Sequence, residues 1–342
     1  MRTRLYRLLA CACMMVFMLN LLSGCGSVSE GSNSKGSSAD AGTAFPGKST
    51  ITLVVPASAG GGTDLLARLF AQEASREWGV NVIVSNVVGA AGALGMNQVK
   101  KAAPDGHTVL FFHNAILLSQ LAGVSKYSVE AFEAGPNFIE DDPVEFYVSG
   151  TNEEILTAKD LQERLQAEPG ELNCCVEVGG YTYYAMRACE QALGGTFNVV
   201  DVGSNSDKVT ALLGGHIDVM PNSWATSKSY VEGGQFRCLG IPAAERSELL
   251  PDVPTFKEQG IDFEYPGYYF GFWFPKGTPA EVIEMYEKVT EKICNDEEMR
   301  EQIHTLGYYP CYQSAAEKEQ HYEDMRGYYE DIEAKVQEMK KK

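Results

Sequence analysis

The chain has 342 residues, with 28 Lys and Arg against 46 Asp and Glu, for a formal charge of −18. So acidic a polypeptide is a poor partner for nucleic acid, where contacts to phosphate dominate affinity. A small anion is a different case, because local dipoles decide its binding. Nine cysteines occur, with no Cys-x-x-Cys pair carrying partner ligands, so neither a structural zinc site nor any other metal or cofactor is expected.

Arg2, Arg4 and Arg7 precede an apolar run over residues 8–22, which ends in Leu22-Ser23-Gly24-Cys25. This is the pattern of a secretory leader of the lipoprotein kind. The run is shorter than the ~20 apolar residues of a comfortable membrane span and is interrupted by Asn20. Residues 1–24 are therefore expected to be removed and Cys25 to become the lipidated first residue. Diacylation together with N-acylation supplies more than one acyl chain, enough for stable anchoring at the cell membrane. Residues 25–45 are rich in Ser and Gly and read as a tether. Roughly 295 residues follow, enough for two cores. They hold Cys174, Cys175, Cys189, Cys238, Cys294 and Cys311. Six thiols allow 15 complete pairings, and buried free thiols are an equal alternative.

The body opens with Ile51, Leu53, Val54 and Val55, an apolar run suited to a buried parallel strand. Gly60, Gly61 and Gly62 follow and let the backbone turn sharply. Thr63 reads as an N-cap, since Leu65, Leu66, Leu69 and Phe70 then recur at helical spacing. The first N–H groups of such a helix lack partners and carry the positive end of its dipole, a seat for an anion. Asp64 would repel an anion if aimed at it; it reads as a brace for the loop or as a seat for an ammonium group. A strand over 80–87 leads to Gly89-Ala-Ala-Gly-Ala-Leu-Gly95, a second glycine turn, and a helix to about residue 103. Neither turn matches a phosphate loop or the dinucleotide fingerprint. A strand over 108–112 ends at His113 and Asn114, where it meets the next helix; both are candidate ligand contacts, and a surface or capping role is the alternative for His113.

Residues 138–148 read as a crossing segment. Thr157 and Asp160 form a capping box before a helix over 161–167. Three units of strand, small-residue turn and helix follow. Their turns are Gly179-Gly180-Tyr181-Thr182, Gly203-Ser204-Asn205-Ser206 and Pro221-Asn222-Ser223. Two stacks of this plan imply an α/β chain of two domains whose turns face one another. A strand over 236–241 and the aromatic run Phe270-Gly-Phe-Trp-Phe-Pro275 return the chain to the first stack. Thr278, Pro279 and Glu281 look like cap, N1 and N3 of a helix bearing Val282, Tyr286, Val289 and Ile293. Two more helices follow. The second bears Tyr322, Met325, Tyr329, Ile332 and Val336, a stripe too short for a partner coil and better suited to core packing.

Residues 54–68, Gly89 to Gly95, Ala102-Ala-Pro-Asp-Gly-His-Thr108, Leu213-Gly-Gly-His-Ile-Asp218, Leu250-Pro-Asp-Val-Pro-Thr255 and Pro275-Lys-Gly-Thr-Pro279 together resemble the extracytoplasmic receptors of tripartite tricarboxylate transporters. The resemblance spans essentially the whole body, in order. It implies a two-lobed, periplasmic-binding-protein-like type II fold, with a ligand cleft between lobe 1 (46–147 plus 241–342) and lobe 2 (148–240). It also implies a monomer that closes on a small carboxylate, a di- or tricarboxylate or an acidic amino acid, and delivers it to a membrane permease. In that family the first two glycine turns hold the carboxylate through backbone N–H groups and water. Carried over, this points to Gly60, Gly61, Thr63 and Asp64, then Ala90, Gly92 and Ala93. Lobe 2 would add Gly180, Tyr181, Thr182, Asn205, Asn222 and Ser223. The chain departs from the family's habit at Ala93, at Tyr183 and at Val202-Gly203-Ser204. Hinging is expected near Phe146 and Ile241.

Two rival readings stay open. An exported hydrolase needs a nucleophile with base and orienter, yet there is no Gly-x-Ser-x-Gly and the five histidines fall in no recognisable pairing. A receptor that signals through a partner would use the same cleft.

Overall fold

The computed structural model describes residues 45–202 and 205–340. The expected leader, the lipidated Cys25 and nearly all of the tether lie outside the described residues. A six-stranded sheet, ordered β11-β4-β10-β3-β1-β2, carries the first glycine turns. Strands β1 (Ile51–Val55), β2 (Val82–Asn86) and β3 (Thr108–Phe112) are parallel, with β1 between the other two. Helices α1 (Gly62–Trp78), α2 (Ala93–Lys100) and α3 (Ala115–Leu121) follow these strands in turn. Covered on both faces, β1 buries Ile51, Leu53, Val54 and Val55 completely, which is why it is a continuous apolar run rather than an alternating one. Strand β4 (Phe132–Asp141) enters antiparallel, as do β10 (Tyr268–Pro275) and the edge strand β11 (Tyr309–Gln313).

Residues 145–240 form separate, smaller sheets. Strand β5 (Glu145–Ser149) pairs antiparallel with β8 (Met220–Asn222) and β9 (Phe236–Gly240). Strands β6 (Asn173–Val176) and β7 (Asn198–Asp201) pair in parallel, and a bridge from Cys174 to Val219 ties them to the approach of β8. Helices α4 (Ala158–Ala167), α5 (Tyr181–Leu193), α6 (Asn205–Leu213) and α7 (Trp224–Glu232) connect these strands. The chain leaves the large sheet after Asp141 and returns to it at Tyr268.

Three helical segments complete the chain: α8 (Ala280–Asn295), α9 (Glu297–Thr305) and α10 (Ala315–Lys340). Tyr286 of α8 stacks with Phe70 and meets Phe272 and Trp78, forming an aromatic core behind β1. The stripe on α10 is buried, as core packing requires: Tyr322, Met325, Tyr329, Ile332 and Val336 join a cluster running from Val54 and Phe112 to Phe146, Tyr184 and Leu193. Tyr184 of α5 also donates to Glu333 at 2.7 Å. One helix thus packs against elements of both sheet systems.

Several boundaries differ from the sequence reading. Gly61, not Thr63, caps α1, and it does so without a side-chain bond; Thr63 is buried in the first turn. Thr278 gives its hydroxyl to Pro275 O, and Pro279 is the cap of α8. The segment 138–148 is not a simple crossover, because β4 continues to Asp141 and β5 starts at Glu145. Strand β11 was not foreseen; Pro310 within it is tolerated at a sheet edge. The Thr157 and Asp160 box forms as read. All six body cysteines are free thiols, four of them buried.

Candidate functional site

The first turn is built by Asp64. Its carboxylate, 2 % exposed, accepts from Gly60 N–H at 2.8 Å, Arg68 Nε at 2.9 Å and Asn86 Nδ2 at 2.9 Å. Burial alone would raise its pKa, but the bonds from Arg68, Gly60 and Asn86 together hold it below the ordinary carboxylate range. The N–H of Gly61 bonds Ser58 O at 3.2 Å. Two donors expected to grip a ligand, those of Gly60 and Gly61, are therefore engaged inside the turn. The open donors belong to Gly62, Thr63 and Asp64, which begin α1 and so lack intrahelical acceptors. A side chain at position 62 would run into the Tyr308 hydroxyl, so only glycine fits beneath that ring.

The second turn is strained. Ala90 and Ala91 adopt φ of 51° and 45°, a left-handed conformation costing roughly 1–2 kcal/mol per alanine. Such outliers persist where the surroundings hold them and cluster at ligand sites. Gly92, at φ 89°, lies against the Phe112 ring, where any Cβ would collide. Here too the expected donors are engaged, since Gly92 N–H bonds Gly89 O and Ala93 N–H bonds Ala90 O. What this turn presents is the positive end of α2 rather than the two amides nearest it.

Both turns open into a cleft of about 630 Å³, within the range of small-molecule sites. Residues of the large-sheet region and of 145–240 line it together. Gly60, Gly61, Thr63, Gly92, His113, Tyr181, Thr182, Asn205, Asn222 and Ser223 are all among its walls. Five expected residues are not. Asp64 is turned into the brace, and Ala90, Ala93 and Gly180 sit just behind wall residues. Asn114 is fully buried, donating to Gly267 O at 2.7 Å and Tyr329 OH at 3.2 Å and accepting from Tyr269 N–H at 3.0 Å. It locks α3 to the chain's return segment.

His113 Nδ1 accepts the Ala115 N–H at 3.3 Å, so in the neutral ring the proton sits on Nε2. Burial lowers its pKa to about 3, and the ring stays neutral at physiological pH. Sequence reasoning missed several wall residues: Asp141, Glu177, Tyr268, Phe270 and Tyr308. Asp141 and Glu177 each stand at or just past the end of a strand, Glu177 two residues before Gly179, which is the signal that could have found them. Asp141 Oδ2 accepts from Ser223 at 2.6 Å, and burial pushes this carboxyl well above its usual range despite that bond. Among the described residues, the cleft wall contains no Lys or Arg, and no cluster of His, Cys, Asp or Glu suits a metal ion.

The profile of the Tripartite tricarboxylate transporter family receptor matches residues 66–334. The sequence is 29 % identical over 281 residues to an Agrobacterium vitis UPF0065 protein, covering 78 % of each chain. It is 30 % identical over 277 residues to a Cupriavidus necator UPF0065 protein, covering 78 % of this chain and 80 % of that one. Among solved structures, a TctC solute-binding protein from Polaromonas without ligand superposes with a TM-score of 0.66 at 26 % identity, over 85 % of this chain and 99 % of that one. A Rhodopseudomonas palustris protein with bound malate gives 0.77 at 24 %, over 84 % and 100 %. An R. palustris protein with adipate gives 0.78 at 24 %, over 84 % and 97 %. These likenesses give the fold: two-lobed α/β, of the periplasmic solute-binding type, with the cleft between lobes.

Proposed function

The chain belongs to the tripartite tricarboxylate transporter receptor family, and from that premise we propose that it is an extracytoplasmic solute-binding protein, anchored through Cys25, that captures a small carboxylate and passes it to a membrane permease. The observation that carries this reading is the pairing of two glycine turns, each opening a helix, on one side of a cleft whose described wall holds no cationic side chain. An anion there is held by oriented N–H groups and dipoles, whose pull strengthens as closure excludes water. The α1 donors at Gly62, Thr63 and Asp64 take one carboxylate, and Tyr308 and His113 add neutral donors beside it. Structural relatives bound to malate and adipate support a carboxylate ligand here.

On this reading lobe 1 is 46–147 plus 241–342 and lobe 2 is 148–240, closing by hinge motion at the two crossings. The protein acts as a monomer and performs no catalysis. Calorimetry of the mature protein against di- and tricarboxylates and acidic amino acids tests the proposal. Heat with at least one of them, at micromolar affinity or tighter, is expected. Silence across the panel while a sugar or a cation binds overturns it. Recovery of the permease subunits on the immobilised protein separates delivery from signalling.

A further inference from the structure

The two sides of the cleft differ in what occupies their helix N-termini. On the large-sheet side, the open ends of α1 and α2 face the cavity. On the other side, one of the protein's own acids stands beside the end of α5. Gly180 caps α5, its N–H bonds Glu177 O at 2.9 Å, and a Cβ placed on Gly180 would lie 3.2 Å from Glu177 Oε2. The Glu177 carboxylate thus folds over the α5 terminus, where an acid is favoured, while remaining part of the cleft wall.

Four other polar side chains on this side are engaged with the protein. Tyr181 OH donates to Pro266 O, and Ser223 OH donates to Asp141. The Asn222 amide donates to Thr226 and Ser227, and Thr182 Oγ1 accepts from Glu177 N–H. Glu177 is the second carboxyl on the wall; burial raises its pKa and the charge of Lys208 opposes that rise. Tyr268 lies within electrostatic reach of both carboxyls, so the two acids flank one stretch of wall.

Resting on the carboxylate-receptor reading above, we propose that the ligand is zwitterionic: its carboxylate sits at the glycine turns and its ammonium group is received by Glu177. A plain dicarboxylate would bring its second carboxylate to a wall that already carries Glu177. Lys208 of α6, whose charge acts on Glu177, is not part of the wall.

The experiment compares matched pairs by calorimetry at pH 7.5, aspartate with malate and 4-aminobutyrate with succinate, on the wild type and on Glu177→Gln. The amino member of at least one pair is expected to bind at least tenfold tighter to the wild type, with the ratio falling to within about threefold in the variant. If in neither pair the amino member binds the wild type at least tenfold tighter, the inference is overturned and the carboxylate reading stands; a ratio that survives in Glu177→Gln has the same consequence. No binding of any of the four overturns the inference, and the calorimetric panel above then decides whether the carboxylate reading falls with it. Melting curves of both proteins establish that the variant is folded; if it is not, the wild-type ratio decides alone.

Discussion

Replacing Asp64 with alanine separates a brace from a ligand contact. The carboxylate is 2 % exposed and holds Gly60 N–H, Asn86 Nδ2 and Arg68 Nε at 2.8–2.9 Å. Arg68 is half exposed, so its ion pair contributes little. Gly60 N–H and the Asn86 amide lose an acceptor, and an orphaned buried donor costs about 1–3 kcal/mol. Gly60 is exposed, so its N–H turns to water, and Asn86 keeps its bond to Ala57 O at 3.0 Å, so both shares fall at the low end and the total is roughly 1–2 kcal/mol. For a body of this size a kilocalorie moves the melting temperature by about 2–4 °C, so calorimetry of the ligand-free protein at pH 7 should show a fall of roughly 2–8 °C. The pKa of Asp64 is depressed in the fold. Its contribution is therefore present above the unfolded carboxylate value of about 3.9 and is lost as pH falls through the folded one. The gap between wild type and variant should narrow below about pH 4. A ligand-free melting temperature within a degree of wild type, with only affinity reduced, would refute the bracing role and return Asp64 to the binding surface.

Gly62→Ala places a methyl group in the Tyr308 hydroxyl; it should weaken carboxylate binding at least tenfold, and adding Tyr308→Phe should recover part of the loss, a coupling visible in a double-mutant cycle. Purely additive effects would show that the two residues do not meet. Gly92→Ala combines a left-handed φ with a collision at Phe112, for about 2–4 kcal/mol of destabilisation by chemical denaturation; a loss under 1 kcal/mol contradicts the packing. Glu145 is fully buried and its Oε1 has no partner, and burial, then the charges of Asp141 and Asp142, push its pKa well up. The folded state keeps a proton that the unfolded chain releases near pH 4.3, so this stability is complete below that pH and declines as pH rises toward the folded value. Glu145→Gln should flatten the decline in melting temperature from pH 5 to 8; parallel curves for the two proteins would sink the assignment.

Interactions spanning a few residues were readable directly. Ile51 to Val55 could only be a buried strand, Gly60 to Gly62 and Gly89 to Gly95 had to be turns, and Thr157 with Asp160 had to cap a helix, because each depends on local backbone chemistry. The sequence resemblance extended this to the family and to the general position of the cleft. Which amide in a glycine turn is free was not readable, because Asp64 reaches back to Gly60 and across to Asn86, and Ser58 takes Gly61. The same holds for the rest of the wall. Asp141, Glu177, Tyr268 and Tyr308 come from four separate stretches of chain, and only tertiary packing makes them neighbours. Local sequence determined where an anion's dipoles would be; the meeting of distant segments decided which donors stay open and which charge they face, since hydrogen bonding and desolvation depend on proximity in space.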